Sequence, residues 1–273
     1  MTSDFRCVAR IALVLVCSPI APAFAQQSDS AHNANRVALL EARDVIAVAG
    51  LAGAVALVMQ SDRSIERAFV RPNLQNSVWL KDVSNASGFL GDPGSVILSA
   101  GLYFVGLGAH SRELAALGMH TGESVVLGGV LAEVLKGEIG RARPSFSPGD
   151  SRLFKSGEGF SSDDYGSLPS AETTAAFAAA TALGRGFSRD WPSHVRLATG
   201  LAYTGATLVA ASRLYKNQHW ASDVVAGAGL GTFSAIFVDR FNRRYPNNIF
   251  ERMFLPSSVA RYRGGVAVEW RLN

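Results

Sequence analysis

Two stretches in the second half of this 273-residue chain, KGEIGRARP (Lys136–Pro144) and SRLYKNQHWASD (Ser212–Asp223), hold residue types that can do chemistry together. They set three fixed cations (Lys136, Arg143 and Arg213), a histidine (His219) and a carboxylate (Asp223) among hydrophobic helical segments. Cations gathered in apolar surroundings are costly unless an anion neutralises them. A phosphoryl group suits a lysine and several arginines, because it accepts forked, charge-assisted hydrogen bonds. A histidine beside such a site is a candidate nucleophile. Asp223 follows His219 by four residues, so on a helix the two share a face, and the carboxylate can hold one imidazole nitrogen while the other attacks.

Plainer readings compete for each feature. Basic residues often close a helix C-terminus, where the dipole favours them, and a lone histidine near a helix start is commonly a cap or a surface residue. The seven-residue step from Lys136 to Arg143 is about two helical turns, which puts both cations on one side if the backbone stays near-helical. Pro144 stops any continuation. Between the two stretches, LPSAETTAAF (Leu168–Phe177) introduces an apolar helix with Ser170 as a natural N-cap. Its first-turn amides can face an anion, while Glu172 in that turn complements the helix dipole.

Taken in order, Lys-x6-Arg-Pro, Pro-Ser and Ser-Arg-x5-His-x3-Asp resemble the three-part signature of the type-2 phosphatidic acid phosphatase and vanadium haloperoxidase superfamily. The first and third parts match at every fixed position: Lys136, Arg143 and Pro144, then Ser212, Arg213, His219 and Asp223. The similarity spans roughly Glu113 to Asp239. It implies an all-α fold, a six-helix core bundle with the site at one end, ending in a short C-terminal strand or hairpin suggested by the tail. It also implies phosphoester hydrolysis through a phosphohistidine, with no metal and no cofactor. By position, His219 would be the nucleophile and Asp223 its orienting partner. Lys136, Arg143 and Arg213 would bind the phosphoryl oxygens, assisted by Ser170 and the amide of Ala171. This agrees with the residue-level reading, since phosphoryl transfer depends mainly on positioning and charge stabilisation.

One position departs from the family pattern. Where its middle motif carries a histidine as general acid, this chain has Glu172. His120 and His194 lie toward the opposite helix ends and do not replace it. Loss of a general acid costs about 10²–10⁴-fold in rate. Three outcomes are open: Glu172 acts protonated beside a phosphate dianion, the substrate is a pyrophosphate that needs little acid help, or the protein binds phosphate without efficient turnover. A vanadate-dependent haloperoxidase is a further alternative, although nothing in the chain indicates vanadium selection. Asp163 and Asp164 can also approach from a loop, with surface solvation the simpler account of them.

The elements that must position these residues are six alanine- and glycine-rich apolar segments, each predicted to be a helix: about 44–60, 94–109, 113–136, 170–183, 195–211 and 221–240. A polar stretch, Ser145–Leu168, reads as a functional loop. In the tail, GGVAVEWR (Gly264–Arg271) alternates like a strand. The N-terminus reads as a signal peptide over 1–25: Arg6 and Arg10 precede the apolar run Ile11–Ile20, and Ala23-Phe24-Ala25 fits a cleavage site. A polar leader (26–43), a helical domain (44–240) and a tail (241–273) follow. Both cysteines, Cys7 and Cys17, fall in the signal, so the mature chain has neither disulfide nor thiolate metal site.

At 48% apolar and 18% charged residues, the chain can bury a sizeable core and carries fewer charges than a typical soluble domain. The net charge of +4 is spread out, without the basic stripe of a nucleic-acid binder. The partners implied are a phosphate-bearing lipid or small molecule and a membrane. Uninterrupted apolar runs fall short of the roughly 20 residues that span a bilayer, and export of the N-terminus conflicts with the positive-inside placement of Arg240, Arg243 and Arg244. These points favour a periplasmic location, soluble or membrane-associated, over an integral inner-membrane one.

Overall fold

The computed structural model describes residues 37–91, 93–256, 258–262 and 265–269. The expected signal peptide (1–25) and residues 26–36 of the expected leader lie outside the described residues. The fold is all-α. Helices α1 (Ala42–Met59), α2 (Asp62–Phe69), α3 (Pro72–Gln75), α4 (Val78–Gly91), α5 (Gly94–Gly108), α6 (Arg112–Ile139), α7 (Ala171–Asp190), α8 (Val195–Tyr215), α9 (Ala221–Arg244) and α10 (Ile249–Phe254) follow in order. All six apolar segments predicted from the sequence are helices. The tail carries a short antiparallel hairpin, β1 (Ser258–Tyr262) with β2 (Gly265–Glu269), paired from Ser258↔Glu269 to Tyr262↔Gly265.

Helix α7 is central, packed by α6, α8 and α9; α5 lies on α6, α4 on α8 and α1 on α9. Its composition explains the position. Ala175, Ala176, Ala178, Ala179, Ala180 and Ala182 are all buried, so neighbouring backbones approach closely while each alanine forfeits little rotamer freedom. The tightest approach is to α9, where a Cβ at Gly231 would stand 2.1 Å from the Thr174 carbonyl oxygen. Larger side chains seal the gaps, Val209 and Tyr203 against Ala176 and Ala180, and Leu214 and Val224 with Val58, Ile65 and Phe69.

Helix α4 has no counterpart among the predicted helices. Its sequence, VWLKDVSNASGFLG, mixes Lys81, Asp82 and Asn85 with apolar residues, and only a narrow stripe of Ser84, Ser87, Gly88 and Gly91 is buried. That stripe of small residues is the face that meets α8 and the start of α7.

Among the described residues, three helices, α1, α6 and α9, are long and apolar enough to cross a membrane. These helices outrun the short apolar runs read from the sequence because they continue past isolated polar residues such as Glu123, whose carboxylate accepts from Asn242 Nδ2 at 2.7 Å. Helix α1 exposes Val45, Ile46, Val48 and Leu57, and α6 exposes Val126, Val130 and Val134. Apolar faces of this extent favour membrane association over a domain lying wholly in water.

Candidate active site

His219 sits in the short connection between α8 and α9. Helix α8 ends at Tyr215, and Asn217 turns the chain at φ 55°, a left-handed conformation that asparagine tolerates better than most residues. The turn folds the chain back, so that Gln218 N–H donates to the Arg213 carbonyl (3.1 Å). Arg213, on the last turn of α8, is thereby set beside His219. Both are buried.

The imidazole is oriented from behind. Its Nδ1 lies 2.7 Å from the Ser167 carbonyl oxygen. A carbonyl only accepts, so Nδ1 carries the proton and Nε2 is left as the reactive nitrogen. Nε2 faces Glu172 Oε2 at 3.2 Å and Arg143 Nη1 at 3.4 Å. Glu172 Oε1 in turn accepts from Arg213 Nη1 at 3.1 Å. The structure therefore brings four expected residues, Arg143, Glu172, Arg213 and His219, into one group. Gly88 of α4 makes room for it: a Cβ there would meet Arg213 Nη2 at 2.4 Å and Lys216 Nζ at 3.1 Å.

Asp223 does not hold the ring directly, contrary to the sequence expectation. Helix α9 begins at Ala221, after His219, so the two residues do not share a helical face. The Asp223 carboxylate instead accepts from Trp220 N–H (2.9 Å), from Ser167 Oγ (2.6 Å) and from Arg141 Nη1. Capping the helix start and neutralising a buried arginine consume its oxygens. It acts on the imidazole at one remove, by fixing Ser167, whose carbonyl orients the ring.

Lys136 is a second correction. Helix α6 stops at Ile139, and Gly140 adopts a left-handed cap, so the helical step to Arg143 is broken. Lys136 Nζ bonds Glu133 at 2.8 Å, and among the described residues no contact joins it to the His219 group. Ser170 caps α7 as expected, accepting from Thr173 N–H at 3.4 Å, and its hydroxyl also lies 3.4 Å from Glu172 Oε2. Ala171, the first residue of α7, follows directly. Asp163, one of the two loop aspartates, bonds Arg143 Nη2 at 2.6 Å. His120 pairs with Glu251 (3.0 Å) on α10 and His194 with Ser193, both away from this group.

Behind His219 lies a network that the motifs did not reveal. Arg141, fully buried, donates to Asp62 (2.7 Å), Asp223, the Ser222 hydroxyl (2.7 Å) and the Ser151 carbonyl (2.7 Å). Asp62 also accepts from Ser222 N–H (2.9 Å) and Oγ (2.6 Å). Arg141 stands between the matched positions Lys136 and Arg143, and an arginine inside an otherwise matched motif was the available signal. Nothing local marked Asp62, which comes from α2.

The electrostatics of Glu172 follow from its neighbours. Burial acts to raise its pKa, but the hydrogen bond and charge of His219, together with Arg213, outweigh burial and hold the carboxyl well below the usual carboxylate range. Lys216 is pushed down, by burial first and then by the like charge of Arg213, with Glu172 opposing.

Residues 117–245 match the model of the PAP2 superfamily, a segment that contains all three motifs. A solved structure of a transmembrane PAP2-type phosphatidylglycerolphosphate phosphatase from Bacillus subtilis is similar at 21% sequence identity and a TM-score of 0.47, over 74% of this chain and 98% of that one. No curated protein matches the chain. The family resemblance read from the sequence is borne out over residues 117–245 by the family-model match.

Proposed function

We propose, from the premise of a PAP2-type segment over residues 117–245, that this protein is an exported, metal-independent phosphatase. Its substrate is a lipid phosphate, a lipid pyrophosphate or a small phosphoester, and the reaction passes through a phosphohistidine. The observation that carries the reading is the orientation of the His219 ring. With Nδ1 committed to the Ser167 carbonyl, Nε2 is the nitrogen turned toward Arg143 and the Glu172–Arg213 pair, and it becomes the nucleophile once its contact with Glu172 is given up.

In the proposed reaction Nε2 attacks phosphorus as the bond to the leaving oxygen breaks. Arg143 and Arg213 take up the charge on the equatorial oxygens, and Lys136, once released from Glu133, adds a third cation from the end of α6. The leaving oxygen needs a proton, which Glu172 supplies only if it is protonated in the complex. Water then cleaves the N–P bond, releasing phosphate and restoring the imidazole. The exposed apolar faces of α1 and α6, and the length and apolar composition of α1, α6 and α9, support a membrane-associated enzyme and hence a lipid substrate.

A second reading draws on the same carboxylate. Glu172 spans Arg213 and His219, which suits a catalytically impaired phosphate- or lipid-binding relative. Phosphate release from a panel of lipid phosphates, pyrophosphates and small esters separates the two. The enzyme reading predicts release that His219→Ala abolishes, and rapid quench with labelled substrate should trap label on His219. Release no faster from the wild type than from His219→Ala would leave only the binding reading.

A further inference from the structure

Each cation assigned to the phosphoryl oxygens already carries a carboxylate: Glu133 on Lys136, Asp163 on Arg143 and Glu172 on Arg213. The first two are surface groups, their side chains 66% and 88% exposed, and turn into water readily when another anion arrives. Glu172 is 22% exposed. Its two oxygens bridge Arg213 and His219 as two oxygens of a tetrahedral anion would. On the α4 side its stem is closely packed, since a Cβ at Gly91 would lie only 3.1 Å from Glu172 Cβ.

The charges around this carboxylate are few. Helix α8 and its end contribute Arg213 and Lys216, the connection to α9 contributes His219 beside neutral Gln218, and the α6–α7 connection contributes Arg143 with Asp163 on it. The packed face of α4 contributes serines and glycines only, and Asp223 of α9 is turned away toward Arg141 and Ser167. An oxyanion contacting Arg213 and His219 therefore lies within a few ångströms of a fixed negative charge. Little water separates them, so like-charge repulsion is strong.

Resting on the phosphoryl-pocket reading above, we propose that Glu172 sets the charge of the group this pocket accepts. It selects a singly charged tetrahedral oxyanion and admits a doubly charged one only together with a proton held between the Glu172 carboxyl and the anion. The preferred substrate is then the monoanion of a phosphomonoester or pyrophosphate, and the proton that enters with a dianion is the one later needed by the leaving oxygen.

Perrhenate and tungstate test this, being tetrahedral oxyanions of similar size that differ by one unit of charge; tungstate remains a dianion from neutral to mildly alkaline pH. Isothermal titration of the purified full-length chain, in buffers of different ionisation enthalpy, counts the protons. Tungstate should bind with uptake of about one proton and weaken about tenfold per pH unit, while perrhenate should take up none. Glu172→Gln should remove the uptake and improve tungstate relative to perrhenate by about tenfold or more. The wild-type proton count stands even if that variant misfolds. Tungstate binding without uptake, or uptake that persists in Glu172→Gln because His219 or Lys216 takes the proton, overturns the proposal and leaves the pocket intact. Failure of both anions to bind either protein overturns the pocket reading along with it.

Discussion

Two faces of His219 are built from the same residue types and behave differently. Behind the ring, Arg141, Asp62 and Asp223 are fully buried, each carboxylate accepts from several donors, and no partner is near water. In front, Arg143 and Arg213 hold carboxylates singly, one of them almost wholly exposed. A buried ion network with every atom bonded fixes geometry, because removing any member strands a charge. A carboxylate as exposed as Asp163 exchanges partners at little cost. The rear network is therefore scaffold, whereas in front Asp163 can give way to another anion and the more buried Glu172 stays as a fixed charge.

Substitutions sharpen or break that contrast, and the largest effect is expected at the ring itself. His219→Ala should lower phosphate release by about 10⁴-fold or more, measured as single-turnover rate on the best substrate of the panel. Retention of substantial turnover would remove the nucleophile from the front face. Next comes the rear network. Arg141→Ala leaves Asp62 and Asp223 buried without their cation and should destabilise the fold by about 3–5 kcal/mol, read from thermal or denaturant unfolding. An unfolding midpoint equal to wild type would mean that the rear face is no scaffold.

Arg213→Lys keeps the charge but loses the planar guanidinium whose Nη1 donates to both Glu172 and Gln218. It should cost about tenfold to a hundredfold in kcat/KM with little change in stability. A loss of stability comparable to that of Arg141→Ala would erase the distinction between the faces. The smallest effect is expected at Asp163, where Asp163→Asn should change unfolding free energy by no more than about 1 kcal/mol.

Acid titration adds a signed test. Because the folded-state pKa of Glu172 is depressed, its ionised form stabilises the fold, and that contribution is complete above the unfolded value, about 4.3. It is lost as pH falls toward the folded value. The stability gap between wild type and Glu172→Gln should therefore be constant at neutral pH and narrow only in acid. A gap that widens in acid would mean that the carboxyl is not held ionised by Arg213 and His219.

Much of the fold was legible in the chain. The six predicted helices are apolar, small-residue segments whose pattern is local, and Ser170 announced its helix start by type and position. Helix α4 escaped because its buried stripe consists of Ser84, Ser87, Gly88 and Gly91, which carry no hydrophobic signal. The site was legible where it depended on spacing across one turn, as between Arg213 and His219. It was misread where spacing assumed an unbroken helix, at Lys136–Arg143 and His219–Asp223, because α6 ends at Ile139 and α9 begins only at Ala221.

Residue order alone determined which groups are available to the proposed phosphoryl pocket, since the types and intervals of Arg143, Arg213 and His219 limit the chemistry, and it set the helical class through local apolar pattern. Only the tertiary structure decided which partner each group takes. Ser167 rather than Asp223 holds the imidazole, Asp62 joins from a distant helix to neutralise Arg141, and Glu172 lands between Arg213 and His219. Hydrogen-bond and charge partners are settled by distances of a few ångströms between segments far apart in the chain, and those distances arise only when the helices pack.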